Sequence, residues 1–325
     1  FCLSRGLGDV YKRQVPNCPI CPICDTPIIS TNYKIRHIIL KSKVFYGVNN
    51  MQRIKRGDIV GRISYGKDII FVVEDIMKVN NKEVAILKGV TIRIKADSPL
   101  DDLEILSKEL VEENERKLEK RFQERIKRCS QLYSNSKNNR EREIIYTGKI
   151  LHLDGDKKYS VKANNYYKKI GLNAIVKNIA ESKQSSVVAD LLIKYKPDIL
   201  VITGHDGMIK KGTKYNDIHN YRNSGYFVDC VKQARNYQDL KKDLVIFAGA
   251  CQSYYEGLIL AGANFASSPA RILIDFIDPL IVAERVAITD EKKFLTINDI
   301  EGELRDGKRG ISGIGANGKK KIMLM

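Results

Sequence analysis

The chain is 325 residues long, 43% hydrophobic and carries a formal charge of +17 at neutral pH. No run of 18 or more apolar residues occurs, which excludes a membrane-spanning helix and points to a soluble protein with one large domain and a smaller one. Lysine and arginine are scattered, with no arginine-rich stripe, aromatic-basic interleaving or nucleic-acid motif, so nucleic acid is not favoured as a partner; the charge reads as solvated faces, with an acidic substrate or polyanionic assembly as the alternative.

The first fifty residues differ from the rest. Residues 1–14 look like translated adapter sequence and are set aside from fold reasoning. Cys18, Cys21 and Cys24 make CxxC steps, but no second CxxC or histidine pair nearby completes four ligands. Upstream sequence read through ahead of a start at Met51 is expected, with a metal knuckle as the alternative, and no metal or organic cofactor is indicated. Cys129, Cys230 and Cys251 lack the spacing of a disulfide framework, which indicates a reducing compartment.

From Met51 the pattern becomes orderly. Residues 57–60, 69–73, 84–87 and 91–94 are short β-rich runs separated by turn signals, and they predict a small SH3-like β-barrel over residues 51–97, serving as a docking module or as a folding cap. Ser98, Pro99 and Asp101 then carry the signature of a helix start. Leu103, Leu106, Leu110, Leu118, Phe122, Ile126 and Cys129 recur at threes and fours opposite a charged face. The long amphipathic helix and a polar linker at residues 134–140 fill 98–143 and close the first module. Within residues 144–325, strands are expected at 149–153, 174–179, 198–203, 244–248, 264–267 and 280–288, with helices at 159–170, 182–195, 226–237 and 254–261. Alternating βα units imply an α/β domain, a doubly wound and mainly parallel sheet with helices on both faces.

Two strands of that domain end in reactive side chains. The apolar run 244–248 stops at Gly249-Ala-Cys251, and the run 198–203 stops at Gly204-His205-Asp206, so a thiol and an imidazole sit at the carboxyl edge of one sheet. His37, His152, His205 and His219 all precede Cys251, which disfavours papain-type proteases and glutamine amidotransferases, whose histidine follows the cysteine. Caspase-type enzymes put the histidine first, with the cysteine about 50 residues on in an Ala-Cys context. Here the separation is 46 residues and the local text is Ala250-Cys251-Gln252-Ser253, giving a caspase-like order. Asp206 and Ser253 depart from that pattern, which has glycine at both places.

Longer stretches carry a closer resemblance. His152-Leu-Asp-Gly-Asp156, Tyr195-Lys-Pro-Asp-Ile-Leu-Val-Ile-Thr-Gly-His-Asp206, Val245-Ile-Phe-Ala-Gly-Ala-Cys-Gln-Ser253 and Ala261-Gly-Ala-Asn-Phe-Ala-Ser-Ser-Pro269 resemble the YabG family of sporulation-specific proteases, as do Gly57-Asp-Ile-Val60 and Ala85-Ile-Leu-Lys-Gly89 in the N-terminal module. The resemblance runs from about Met51 to the C-terminus. It implies a cysteine endopeptidase of the mother-cell cytoplasm of a spore former, associated with the forming coat, with spore coat and cortex-associated proteins as substrates.

The site expected on these positions has Cys251 as a thiolate nucleophile favoured by a helix N-terminus just after it, His205 as the proton shuttle, and the backbone N–H groups of Cys251 and Asp206 as the oxyanion hole. A buried core thiol, and a loop histidine satisfied by Asp206, are the alternatives for the two catalytic positions. His152 reads as a satisfied core histidine. Asp154 or Asp156 could line a pocket for a basic P1 side chain, or form a turn that caps the next helix. Ser267, Ser268 and Arg271 could wall the cleft and bind substrate backbone, whereas His219 and Cys230 are expected to take no part in catalysis. Two rival functions stay open, a coat-assembly scaffold with a vestigial site and a cysteine amidohydrolase acting on a small molecule; self-nicking in the basic segment 137–142 would separate a protease from a scaffold.

Overall fold

A computed structural model of the chain describes residues 53–137, 143–209, 214–237 and 243–324. The expected leader, its CxxC steps and most of the basic segment 137–142 lie outside the described residues. Five short strands come first: β1 (Ile59–Arg62), β2 (Phe71–Val79), β3 (Lys82–Gly89), β4 (Lys95–Pro99) and β5 (Leu103–Ile105). They form an antiparallel sheet in the order β4-β3-β2-β1-β5, around a core that includes Val60, Phe71, Val73, Ala85, Leu87 and Leu103. A bulge between Val73 and Asp75 bends the long β2–β3 pair.

Two expectations for this part are corrected. Residues 91–94 do not form a strand; they belong to the connection from β3 to β4. Ser98 does not open the helix either. Its hydroxyl donates to Asp102 at 3.1 Å, and Asp102 also receives the Ser64 N–H at 2.7 Å and the Arg62 guanidinium at 3.0 Å. Those bonds tie residues 98–102 to the sheet and make room for β5. The helix α1 (Lys108–Lys137) starts after Ser107, whose hydroxyl accepts the Leu110 N–H at 3.3 Å. It also runs on to Lys137, through part of the expected linker. Of the expected apolar face, Leu118, Phe122, Ile126 and Cys129 are buried on α1, whereas Leu110 is exposed and Leu103 and Leu106 precede the helix.

The larger part is built of repeating βα units: β7 (Ile150–Asp154), α2 (Lys157–Lys169), β8 (Ala174–Asn178), α3 (Glu181–Tyr195), β9 (Ile199–Thr203), α4 (Ser224–Asn236), β10 (Val245–Ala248), α5 (Tyr255–Leu260) and β11 (Phe265–Ser267). A short strand β6 (Glu143–Tyr146) precedes them and pairs with β15 (Lys321–Leu324). The main sheet has the order β13-β11-β10-β9-β7-β8, with β13 (Ile311–Gly313) antiparallel at the edge and the other five strands parallel. Successive strand residues face opposite sides: Ile150, Val201 and Phe247 pack towards α1, α2 and α6 (Asp278–Ile288), whereas Leu151, Ile202 and Ala248 pack towards α3, α4 and α5. Both faces are covered, which is why the strands read as unbroken apolar runs. The strand order reverses between β7 and β9, and the crevice above that point, at the carboxyl ends of β7, β9 and β10, is where such sheets place ligands.

Residues 280–288, expected as a strand, form α6 instead. A continuous apolar run does not distinguish a strand from a helix buried on all sides, and α6 is buried along nearly its whole length. Pro279 in its first turn was the helix signal. Asp278, at its start, is buried and accepts the Asp275 and Arg305 N–H groups, both at 3.1 Å. Burial, with Asp275 nearby, pushes its carboxyl up to about 7.

That shift has a sign. Between roughly pH 4, the ordinary carboxyl range, and pH 7 the folded protein keeps a proton on Asp278 that the unfolded chain releases, so this group makes stability fall as pH rises through the window and stay level above it. Urea melts of wild type and Asp278→Asn at pH 4, 5.5 and 7 should show the wild type losing up to about 4 kcal/mol relative to the variant across that range. Parallel curves would exclude a protonated Asp278.

Candidate active site

Cys251 follows β10 through a turn whose geometry is set by small and hydroxyl side chains. Gly249 has φ +109, and a Cβ there would lie 2.4 Å from Ser267 Oγ, so only glycine fits. Ser267 Oγ donates to the Ala250 carbonyl at 2.9 Å. The Ala250 N–H donates to Ser253 Oγ at 2.9 Å, and Ser253 Oγ donates to Asp206 at 2.8 Å. Gln252 sits in the left-handed region at φ 56, and its N–H donates to Ile272 O at 3.1 Å. Such strain is held by the bonds on either side and is characteristic of functional turns.

His205 follows β9, the neighbour of β10, so both groups stand at the same sheet edge, as expected. The loop is held from three directions. The His205 N–H donates to Glu181 Oε1 at 2.8 Å, and the Asn223 side chain donates to the His205 carbonyl at 2.6 Å. Asp206, fully buried, accepts from the Asn223 N–H and the Gly207 N–H, both at 2.8 Å, and from the Ser224 and Ser253 hydroxyls. Its side chain therefore does not satisfy His205; it bridges the histidine loop, the start of α4 and the cysteine turn. Burial raises its carboxyl above the ordinary range.

The His205 imidazole is also fully buried. Its Nε2 faces the Gly89 carbonyl at 3.3 Å, and its Nδ1 has no hydrogen-bond partner. A carbonyl only accepts, so the proton belongs on Nε2 and the lone pair on Nδ1. Burial, reinforced by the Lys88 charge, pulls the imidazole well below its usual value, so it is neutral at pH 7.

The thiol differs from expectation. Cys251 is fully buried beside Leu273, Ile274 and the N-terminal core, its Sγ lies 3.4 Å from the Ile274 N, and burial pushes it up to about 12. The helix that should favour a thiolate begins only at Tyr255 and is six residues long. Burial thus favours the uncharged form of both groups.

Asp154 and Asp156 have different partners. Asp156 caps α2 by accepting the Lys158 N–H at 2.8 Å and the Tyr159 N–H at 3.2 Å, and it pairs with Lys88 at 2.5 Å. Asp154, buried at the end of β7, accepts the Arg93 guanidinium at 2.7 Å, Thr203 Oγ1 at 3.0 Å and the Asp156 N–H at 2.8 Å. The Arg93 charge holds its carboxyl far below the ordinary range even against burial. Arg93 is itself 2% exposed and its second nitrogen reaches Phe276 O at 3.2 Å. His152 is the satisfied core histidine, between Tyr167 OH at 3.1 Å and Thr203 Oγ1 at 2.9 Å.

The connection from β3 to β4 thus enters this edge. Besides its guanidinium, Arg93 offers its carbonyl to the Asp206 N–H at 3.4 Å. The Lys95 N–H donates to Asp206 O at 2.8 Å, and Ile94 and Asp206 form a parallel bridge. Tyr159 OH donates to Val90 O at 3.2 Å. A Cβ on Gly207 would lie 2.1 Å from Lys95 O, so this approach requires glycine there.

Ser267, Ser268 and Arg271 do not stand as open cleft walls. Ser268 Oγ donates to Ile272 O at 2.8 Å. Arg271 is buried, bonded to Tyr221 OH at 2.6 Å, to Pro269 O at 3.1 Å and to Glu256, with its guanidinium close to the rings of Tyr215, Tyr221 and Tyr254. These side chains fix the loops that carry Cys251. Sequence reasoning missed Arg93, Glu181, Asn223 and Ser224. Arg93 lies in an alternating apolar run that looks like a strand, and nothing in that text marks it as buried. Among the described residues no helix is long and apolar enough to cross a membrane, and no cluster of potential metal ligands occurs.

The family model described as YabG peptidase U57 matches residues 55–324. The chain is 37% identical over 280 residues to the sporulation-specific protease YabG of Bacillus subtilis (strain 168), an alignment that covers 82% of this chain and 96% of that protein. No solved structure matches the chain. With nearly all of the N-terminal sheet, α1 and the α/β part inside the match, the chain belongs to the YabG peptidase family.

Proposed function

We propose that this protein is a cysteine endopeptidase that cleaves after basic residues, with Cys251 as nucleophile, His205 as proton shuttle and Asp154 as the reader of the P1 side chain. One observation carries the reading: a single short segment has its arginine side chain on Asp154 and that arginine's carbonyl at the Asp206 N–H, with the next residue, Ile94, in the same buried cluster as Cys251. A peptide substrate needs the same placements at once. The parallel strand order and the histidine-before-cysteine arrangement support a caspase-like domain, preceded by an SH3-like module that extends through β5 at Ile105 and by a helical connector, α1. Sporulation is the setting that the relative's name supports, and coat and cortex-associated proteins in the mother cell are the substrates that the family resemblance implies.

The chemistry starts from the neutral pair. His205 Nδ1 takes the thiol proton as Sγ attacks the scissile carbonyl carbon, so the thiolate forms during attack and not before it. Negative charge develops on the carbonyl oxygen, where the Asp206 N–H already faces an oxygen of the same kind. The imidazolium then protonates the departing amine, and the peptide bond breaks to leave a thioester. Neutral His205 draws a proton from water, hydroxide adds to the thioester carbon, and the acid product leaves as the thiol is restored. The Asp206 carboxylate holds the two loops in register through Ser253, while only its backbone N–H faces the reacting carbonyl.

Cys251→Ala and His205→Ala should each abolish cleavage of arginyl peptide substrates and of coat-protein extract while leaving the circular dichroism unchanged. Cleavage surviving in Cys251→Ala, or absent from wild type and from every variant with an opened cleft, would favour the scaffold reading. A charge-assisted hydrogen bond is worth roughly 1.5–3 kcal/mol, so Asp154→Asn should lower kcat/KM for arginyl substrates about 10- to 100-fold. Substrates with a neutral P1 residue make no use of the carboxylate and should not lose turnover, since the substitution also loosens Arg93; an equal loss on both classes would remove Asp154 from the P1 pocket.

A further inference from the structure

We infer that the β3–β4 connection, taken with the strand ends that flank it (residues 89–95), is an intramolecular substrate mimic: it fills the cleft, and the chains that displace it carry arginine between aliphatic residues. The inference rests on the cleft described under the proposed function and adds what occupies it and what it accepts.

The connection is bonded at every level at which a substrate would be. Its side-chain anchor is the Arg93–Asp154 pair, with both groups buried. Its main chain runs beside residues 206–207, held by the Lys95 N–H on Asp206 O and by the Ile94–Asp206 bridge. Its amino-terminal side is closed by Gly89 O on His205 and Val90 O on Tyr159. The flanking Ile94 is buried in the core that contains Cys251, Leu273 and Ile274, and Ile92 packs against that core, which is why aliphatic neighbours are specified. While the connection is in place, both reactive groups are shut off from water, and the His205 and Cys251 environments favour their uncharged forms.

The contacts that hold the connection differ from those that hold the N-terminal sheet together. Arg93 and Lys95 bond outwards, whereas the ladder is closed by Gly89 N–H on Ile94 O and by the β3–β4 pairs from Lys88 to Val84. The Lys95 N–H points away from β3, so proline is tolerated there while the bond to Asp206 is lost.

The test measures binding without catalysis. A fluorescently labelled Val-Thr-Ile-Arg-Ile-Lys peptide is titrated by anisotropy into full-length Cys251→Ala, and into the same variant carrying Arg93→Ala or Lys95→Pro. The expected result is at least tenfold tighter binding when the connection is disabled, with no binding of the peptide that has alanine in place of arginine. Arg93→Ala leaves the Asp154 carboxylate without its partner; if that variant does not fold, Lys95→Pro carries the comparison. Equal affinity with the connection intact and disabled, or equal binding of the alanine peptide, overturns the inference. Because the thiol is absent from every protein in the assay, failure of the protease reading, seen as no cleavage by proteins that retain Cys251, is read separately.

Discussion

The Arg93–Asp154 ion pair is the constraint from which the arrangement at the sheet edge follows. A carboxylate at the end of β7 that is buried without a cation would lose its charge or destabilise the fold. Arg93 supplies the cation from another module, and breaking such a pair by removing one partner costs about 3–5 kcal/mol. The pair therefore does two jobs. It seats the N-terminal sheet on the α/β part, and it keeps Asp154 ionised with a geometry suited to an arginine. Thr203 and the Asp156 N–H complete the carboxylate's coordination, so any incoming guanidinium meets an acceptor already oriented.

A second buried carboxylate organises the loops that carry His205 and Cys251. Asp206 has no cation; it is satisfied by two backbone N–H groups and two hydroxyls. Those donors come from the histidine loop, the start of α4 and the cysteine turn, so one side chain fixes the spacing between His205 and Cys251. The two residues that depart from the caspase-type pattern, Asp206 and Ser253, are hydrogen-bonded to each other at 2.8 Å. The two departures thus form one lock, and Ser253 passes it on to the Ala250 N–H beside Cys251.

Much of this was legible in the sequence for physical reasons. Buried parallel strands are short apolar runs stopped by glycine, and runs 198–203 and 244–248 stand within a residue of β9 and β10. The placement of His205 and Cys251 followed from those stops. Where the text misled, a tertiary contact outweighed a local signal. Residues 280–288 have the composition of a strand but are a helix buried on all sides, and Ser98 has the look of a cap but is bonded to Asp102. The surroundings of Cys251 favour a thiolate less than the text suggested, because the N-terminal core packs against it and the helix that follows is only six residues long. Arg93 was illegible because its meaning lies 61 residues away, at Asp154.

The central claim is that Cys251 and Asp154 belong to one arginine-reading cleft. The most direct measurement treats the Arg93→Ala protein with a peptidyl acyloxymethyl ketone that ends in arginine, and with a matched reagent that ends in aspartate, and maps the adducts by peptide mass spectrometry. The account requires a single adduct on Cys251 with the arginyl reagent, absent when Asp154 is also changed to Asn, and none with the aspartyl reagent. An adduct on another nucleophile, or equal labelling by both reagents, would contradict it.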